Sequence, residues 1–294
     1  MQTKQNPPKN HHYVPELYQK GFCQENGKTW RYFKKYNDFK EKYPSSILYE
    51  KDLHTVSIRR NTTVMIERFY SQIEDQFAKY LNFIQENVGK PELINELKDN
   101  ENFLNVLKFI VAFQFWRTPC QTPAAKILSA RLLHLYDNAN PETQKLLKQD
   151  RRFIKTIQKK SRKAQPLKVA QHLLLPILAF DHSVTLGEIQ FCYIKDENKT
   201  IFTSDRPVSY DTEALLFKFE EFLFPISKNL FVISTKRRAK RIDLKKLNRI
   251  IFDKALNYVL SPSKERLAQH VQLSTSTEEK LLIADCVIES ELNS

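Results

Sequence analysis

"ENFLNVLKFIVAFQFWR", residues 101–117, is apolar on nearly every side. A helix with that pattern belongs at the centre of a protein rather than on its surface. At 100° per residue, Gln114 and Arg117 fall on the same side as Phe103, Leu107 and Ile110, so both polar groups should lie inside. A guanidinium that keeps its proton is costly to bury unless a carboxylate or phosphate meets it, and Arg117 therefore predicts a partner. Thr118 and Pro119 end the helix directly after it.

Working outward, residues 64–88 place Ile66, Phe69, Ile73, Phe77, Leu81 and Ile84 at intervals of three and four, which predicts a helix with one buried stripe. Glu67 and Glu74 are two turns apart on the edge of that stripe, about 10 Å along the axis. Glu67 lies at the margin and reads as a surface or boundary carboxylate. A third helix is expected at 121–137, another across the first basic cluster (148–168), and an apolar segment at 167–180 interrupted by Pro176. "TWRYFKKY", 29–36, reads as a strand. "EIQFCYI" (188–194) and "TIFTS" (200–204) read as one hairpin, and "FLFPIS" with "NLFVIS" around Lys228 and Asn229 as a second. Helix returns over 242–260 and from 263. The expected class is α+β: mostly helical, with a small antiparallel sheet at roughly 188–234 and the N-terminal motif docked against it.

The 294 residues suit one domain: a flexible arm (1–10), an N-terminal motif with short strands (11–62), a helical part (63–185), hairpins (186–235) and C-terminal helices (236–294). Cys23, Cys120, Cys192 and Cys286 form no Cys-x-x-Cys pair, so neither a disulfide framework nor an all-cysteine zinc site is expected. MQTKQNPPKN has no apolar core of a secretory signal, and no apolar run reaches the roughly 18 residues of a membrane span. A cytoplasmic protein without a membrane partner is the expectation.

The formal charge of +13 is concentrated. Residues 148–168 hold nine Lys or Arg against one Asp, and 236–249 hold eight against one. These local charges of +8 and +7 make +15, so the rest of the chain carries −2. Clustered cations are what a phosphate-binding surface needs, because binding releases counterions. Candidate contacts for RNA or DNA are Arg151, Arg152, Lys155, Lys159, Lys160, Arg162 and Lys163 in the first run, and Arg237, Arg238, Lys240 and Arg241 in the second. The plainer reading is a solvated helix face in a Lys-rich chain.

Near the N-terminus, "NHHYVPELYQKGF" (10–22) sets two of seven histidines side by side before Pro15. Pro15 extends Val14 and suits the first position of a short helix, 15–20, that Gly21 can close. On an extended segment His11 and Tyr13 face one way and His12 and Val14 the other, so one histidine faces any given site. His12 is the one favoured for presentation, with His11 as its anchor.

Taken in order, His11-His12-Tyr13-Val14-Pro15 with Leu17, Tyr18 and Phe22, Ile73-Glu74 before Phe77-Ala78, Gln114-x-x-Arg117-Thr118-Pro119, Phe202-Thr203-Ser204-Asp205-x-Pro207-Val208 and Phe224-Pro225-Ile226-Ser227 resemble the bacterial family called domain of unknown function 4238. The likeness runs from residue 11 to about 262. Arg206 departs from the small polar residue expected there. The resemblance implies a shared fold and site, and carries no established activity. The kind of family suggests a toxin or phage-defence effector as the setting.

Function is therefore argued from side chains. His11 or His12, Glu74, Gln114, Arg117 and Asp205 would, if they converge, combine an imidazole, carboxylates and a fixed cation. Imidazole moves protons near neutral pH, Arg stabilises charge on phosphate, and Asp with Glu can hold Mg²⁺. The first expectation is a nuclease-like phosphodiesterase. The second is a non-enzymatic nucleic-acid-binding or interaction module in which these residues form a structural network: histidines bonded to backbone, Arg117 paired with Glu74 or Asp205, Gln114 clipping helices, Asp205 in an Asx-turn or helix cap. The third is a sensor of an anionic small ligand at Arg117. No metalloprotease histidine spacing, Gly-rich phosphate loop or Gly-x-Ser-x-Gly elbow is present.

Overall fold

In a computed structural model of the chain, the described residues are 10–58, 61–87, 90–184, 189–196, 199–235, 241–274 and 280–288. The Glu101–Arg117 helix is the centre of the larger core, and Asn100 starts it by accepting from the Phe103 N–H at 2.9 Å. Phe103, Leu107, Val111, Ala112 and Trp116 are fully buried. The Met65–Glu86 helix packs along one side, with Phe69 against Phe113 at 5.0 Å between ring centroids. On another side runs Ala164–Leu178, whose helical path widens into a π-turn at Ala170–Leu174 just before Pro176. Proline cannot donate a backbone hydrogen bond, and its ring crowds the preceding turn.

The class is α+β and helix-rich, but the strands form more than one small sheet. One four-stranded sheet joins Ile189–Tyr193, Leu230–Ser234, Phe222–Ser227 and Ser209–Tyr210 in that order. The second is assembled from both ends of the chain: Asp38–Lys42, Thr29–Phe33, Tyr258–Ser261 and Thr203–Ser204. Among the described residues three further two-stranded pairs form, Asn10–His12 with Tyr49–Lys51 being one. All of the pairings among the described residues are antiparallel.

The expected hairpin of 222–227 with 230–234 forms; the one joining 188–194 to 200–204 does not. Ile189–Tyr193 pairs instead with Leu230–Ser234. The amide of Ile201 is taken by the Lys228 carbonyl at 2.8 Å, and that of Phe202 by Asn248 Oδ1 at 2.9 Å. The helix expected at 121–137 breaks into Thr122–Ser129 and Leu132–Asp137, and that expected at 242–260 ends at Lys254 and becomes strand at Tyr258. The arm expected at 1–10 lies outside the described residues but for Asn10, which is in a strand.

The Glu16–Lys20 helix docks on the first sheet as expected, with Tyr18 stacked on Phe224 at 5.4 Å and the Lys228 N–H donating to the Gly21 carbonyl at 2.8 Å. A smaller core, around Phe202, Phe231, Leu247, Ile251 and Leu267, joins the second sheet to the Leu244–Lys254 and Lys264–Ser274 helices. Among the described residues, no helix is long and apolar enough to cross a membrane.

Candidate functional site

The predicted residues hold a strand in place. Arg117 donates from Nε to the His12 carbonyl at 2.7 Å, and Gln114 donates from Nε2 to the Tyr13 carbonyl at 2.8 Å. Gln19 takes the Val14 carbonyl at 2.7 Å, so three successive carbonyls of the His-Tyr-Val segment are gripped by side chains. Arg117 is also ion-paired with Glu74 and lies over the Tyr70 ring, 4.5 Å from its centroid. Its expected partner is thus an internal carboxylate. Glu74, Gln114 and Arg117 line a cavity of about 20 Å³. That is room for roughly one water, so no phosphate ester fits between them.

Asp205 does not join this group. Its buried carboxylate accepts from the backbone N–H of Leu256 (2.9 Å), Asn257 (2.7 Å) and Tyr258 (3.2 Å), closing the corner between the Leu244–Lys254 helix and the following strand. Burial pushes its pKa up, opposed by those three donors. The convergence of imidazole, guanidinium and aspartate expected from the sequence is not formed.

The histidine pair splits as strand alternation requires. His12 lies half-buried beside Tyr49 and Glu16, with Nδ1 3.4 Å from the Glu16 carboxylate. His11, rather than the favoured His12, turns into a polar group that the sequence did not announce. Its Nδ1 accepts from the His54 backbone N–H at 2.8 Å, and its ring stacks on that of His54 at 5.3 Å. His54 Nδ1 is hydrogen-bonded to Glu67 Oε1, and His11 Nδ1 stands 3.6 Å from the same oxygen. His172, in the π-turn, sets its ring edge to His54 at 5.0 Å and shares a 3.0 Å hydrogen bond with the Tyr70 hydroxyl.

Burial holds the imidazoles of His54 and His172 well below the usual histidine pKa, so both are neutral at physiological pH. A neutral His54 with its proton on Nδ1, facing the Glu67 carboxylate, carries a lone pair on Nε2. That nitrogen is buried and meets no hydrogen-bond partner among the described residues. Glu67 is the solvent edge of the group at 28% side-chain exposure, against 0% for His54 and 1% for His11.

One ligating atom each from His11, His54 and Glu67 lies within 4.8 Å of the others. Two imidazoles and a carboxylate suit Zn²⁺, Mn²⁺ or Fe²⁺, whereas the Mg²⁺ expected from paired carboxylates prefers all-oxygen ligation. Asp205 and Glu74, the carboxylates of that expectation, are engaged elsewhere. His54 and His172 went unnoticed in the sequence because each stands alone, one in a polar turn and one in an apolar run.

Arg151, Arg152, Lys155, Lys159, Lys160, Arg162 and Lys163 are exposed on and after the Arg151–Lys160 helix, whose Ile154 and Ile157 face inward; Arg151 is held by both oxygens of Asp137. Of the second basic run, Arg237, Arg238 and Lys240 lie outside the described residues, and Arg241 is exposed.

Neither the curated proteins nor the solved structures offer a match to this chain. The family model described as "Protein of unknown function (DUF4238)" matches residues 10–265. Since that span covers most of the polypeptide, from the paired histidines through the Asp205 corner, the chain belongs to the DUF4238 family.

Proposed function

We propose that the protein is a metal-dependent phosphodiesterase acting on nucleic acid, with His11, His54 and Glu67 as the metal ligands. The meeting of those three ligating atoms within 4.8 Å, from two strand-region segments and a helix, carries the reading. An ion held there would stand between the Nδ1 of His54 and the Glu67 carboxylate, with the ring proton moved to Nε2 so that the imidazole stays neutral. His11 Nδ1 would turn its lone pair from the His54 amide to the ion. A divalent ion so held would supply the activation of a water for hydrolysis of a P–O ester bond, the leaving oxygen taking its proton from solvent. Arg117 positions the His11 segment and is not the phosphate clamp. The exposed cations of the Arg151–Lys160 helix and the exposed Arg241 support a phosphate-rich substrate.

One contact favours a second reading, a non-enzymatic module in which the cluster is a metal-free clasp: the His11 lone pair is already engaged by the His54 amide at 2.8 Å. Metal content and calorimetric titration with Zn²⁺ and Mn²⁺, on the intact protein and on His54→Ala and Glu67→Gln, separate the two. The enzymatic reading expects near-stoichiometric metal, lost in both variants, and metal-dependent cleavage of labelled RNA or DNA. Failure of every ion to bind leaves the clasp.

A further inference from the structure

A second feature lies on the smaller core and shares no residue with the histidine cluster. Between the Leu244–Lys254 and Lys264–Ser274 helices opens a groove of about 900 Å³. That is near the upper end of the ~300–1,000 Å³ typical of ligand sites. Lys199, Arg241, Lys245, Lys246, Arg249 and Arg266 line it, drawn from a loop, a strand and both helices. The one acid in the lining, Asp243, is engaged as a helix cap, accepting from the backbone N–H of Lys245 (2.9 Å) and Lys246 (3.2 Å).

Lys199 is 3.3 Å from Asp196, and Arg249 donates to Asp253 at 2.7 Å. Arg241, Lys245, Lys246 and Arg266 make no ion pair among the described residues. Four cations on one concave surface repel each other, and no acid among the described residues pairs with them. An anion with several charges at spaced positions relieves it.

The groove's apolar floor is offered by the half-buried Ile242, Leu244 and Leu281, with Phe202 buried at 2% exposure. Asn248 fixes it, accepting from the Phe202 N–H at 2.9 Å and donating to the Thr200 carbonyl at 2.9 Å. A ligand bearing only phosphates leaves this floor idle. A duplex does too, because its bases face one another.

We infer that this groove binds a single strand of nucleic acid, with phosphates on the Lys245, Lys246, Arg241 and Arg266 side and bases turned onto the apolar floor. The Arg151–Lys160 helix is the weaker candidate despite its charge. It offers a solvated face, and Arg151 there is already held by Asp137. The inference does not need the metal reading. A strand can bind here whether or not His11, His54 and Glu67 hold an ion.

The test is fluorescence anisotropy with labelled eight-nucleotide oligo-dT and oligo-U, in EDTA at ~0.15 M salt, a regime that screens exposed charges beyond about 8 Å. Wild-type protein should bind at least one of the two, and the pair tells DNA from RNA preference. Lys245→Glu/Lys246→Glu and, separately, Arg266→Glu should weaken binding at least about tenfold, and the slope of log affinity against log salt should fall by about 0.7 for each phosphate the variant no longer neutralises. Arg151→Glu/Arg152→Glu should leave affinity within about twofold. Circular dichroism melts of each variant check that folding is unchanged. No binding of either strand, groove variants that bind as wild type, or equal affinity for heparin or a duplex would overturn the inference. Strand binding with no metal and no cleavage would sink only the phosphodiesterase reading.

Discussion

The Arg117 guanidinium donates from Nε to the carbonyl of His12 at 2.7 Å, tying the last turn of the central helix to a strand 105 positions earlier in the chain. The same side chain pairs with Glu74 and covers the Tyr70 ring, so a lysine, with one ammonium in place of a planar fork, cannot satisfy all three. Arg117→Lys should destabilise the fold by about 3 kcal/mol, at the lower end for a broken buried pair because Glu74 is partly exposed. Urea denaturation measures it. Any metal bound at His11 should be weakened in parallel, since the strand carrying that ligand loses its anchor.

Asp205 serves three backbone N–H groups at one corner. Asp205→Ala leaves them without their acceptor and should cost about 3 kcal/mol, with water repaying part of the loss near the exposed Leu256. Metal content should not change. A variant that stays stable but loses metal or cleavage would return Asp205 to the reacting group.

Gly21 lies where the N-terminal helix meets the sheet. A Cβ built on it would stand 3.0 Å from the Ile226 carbonyl oxygen and 3.3 Å from the Ser227 Cα, both backbone atoms that cannot swing aside. Gly21→Ala should therefore cost about 1–3 kcal/mol through overpacking, read as a lower midpoint in thermal melts.

Acid should unfold the protein by way of its buried histidines. His54 and His172 titrate well below the 6.5 of a free imidazole because burial disfavours their charged forms. The unfolded chain therefore binds protons that the folded one refuses. Stability contributed by these groups is complete above about pH 6.5 and is lost as pH falls toward their folded-state values. Urea midpoints from pH 8 to 4, taken in EDTA, should decline below 6.5, and His172→Gln should flatten that decline.

If the cluster holds an ion, free Zn²⁺ at 100 times its dissociation constant should stabilise the fold by about 2.7 kcal/mol. Scanning calorimetry should show the midpoint rise with Zn²⁺ and return with EDTA. Glu67→Gln should lose that response while its metal-free midpoint stays near wild type. An identical response in the variant would place the ion elsewhere.

The central helix was legible over its full 101–117 span, with Gln114 and Arg117 inside it, and so was the 222–234 hairpin. A helix closes its hydrogen bonds within its own segment, and a tight hairpin within its two neighbouring strands, so local spacing is enough to announce them. The N-terminal, Arg-Thr-Pro and Thr-Ser-Asp elements were likewise sufficient to point to the family. Which strand lies beside Ile189–Tyr193, and that Thr29–Phe33 pairs with Tyr258–Ser261, was decided only in three dimensions. The same holds for the meeting of His11, His54 and His172 around Glu67 and Tyr70. Ladder bonds and side-chain clusters take their partners from residues tens to hundreds of positions away, and no periodicity within one segment records where another will come to rest.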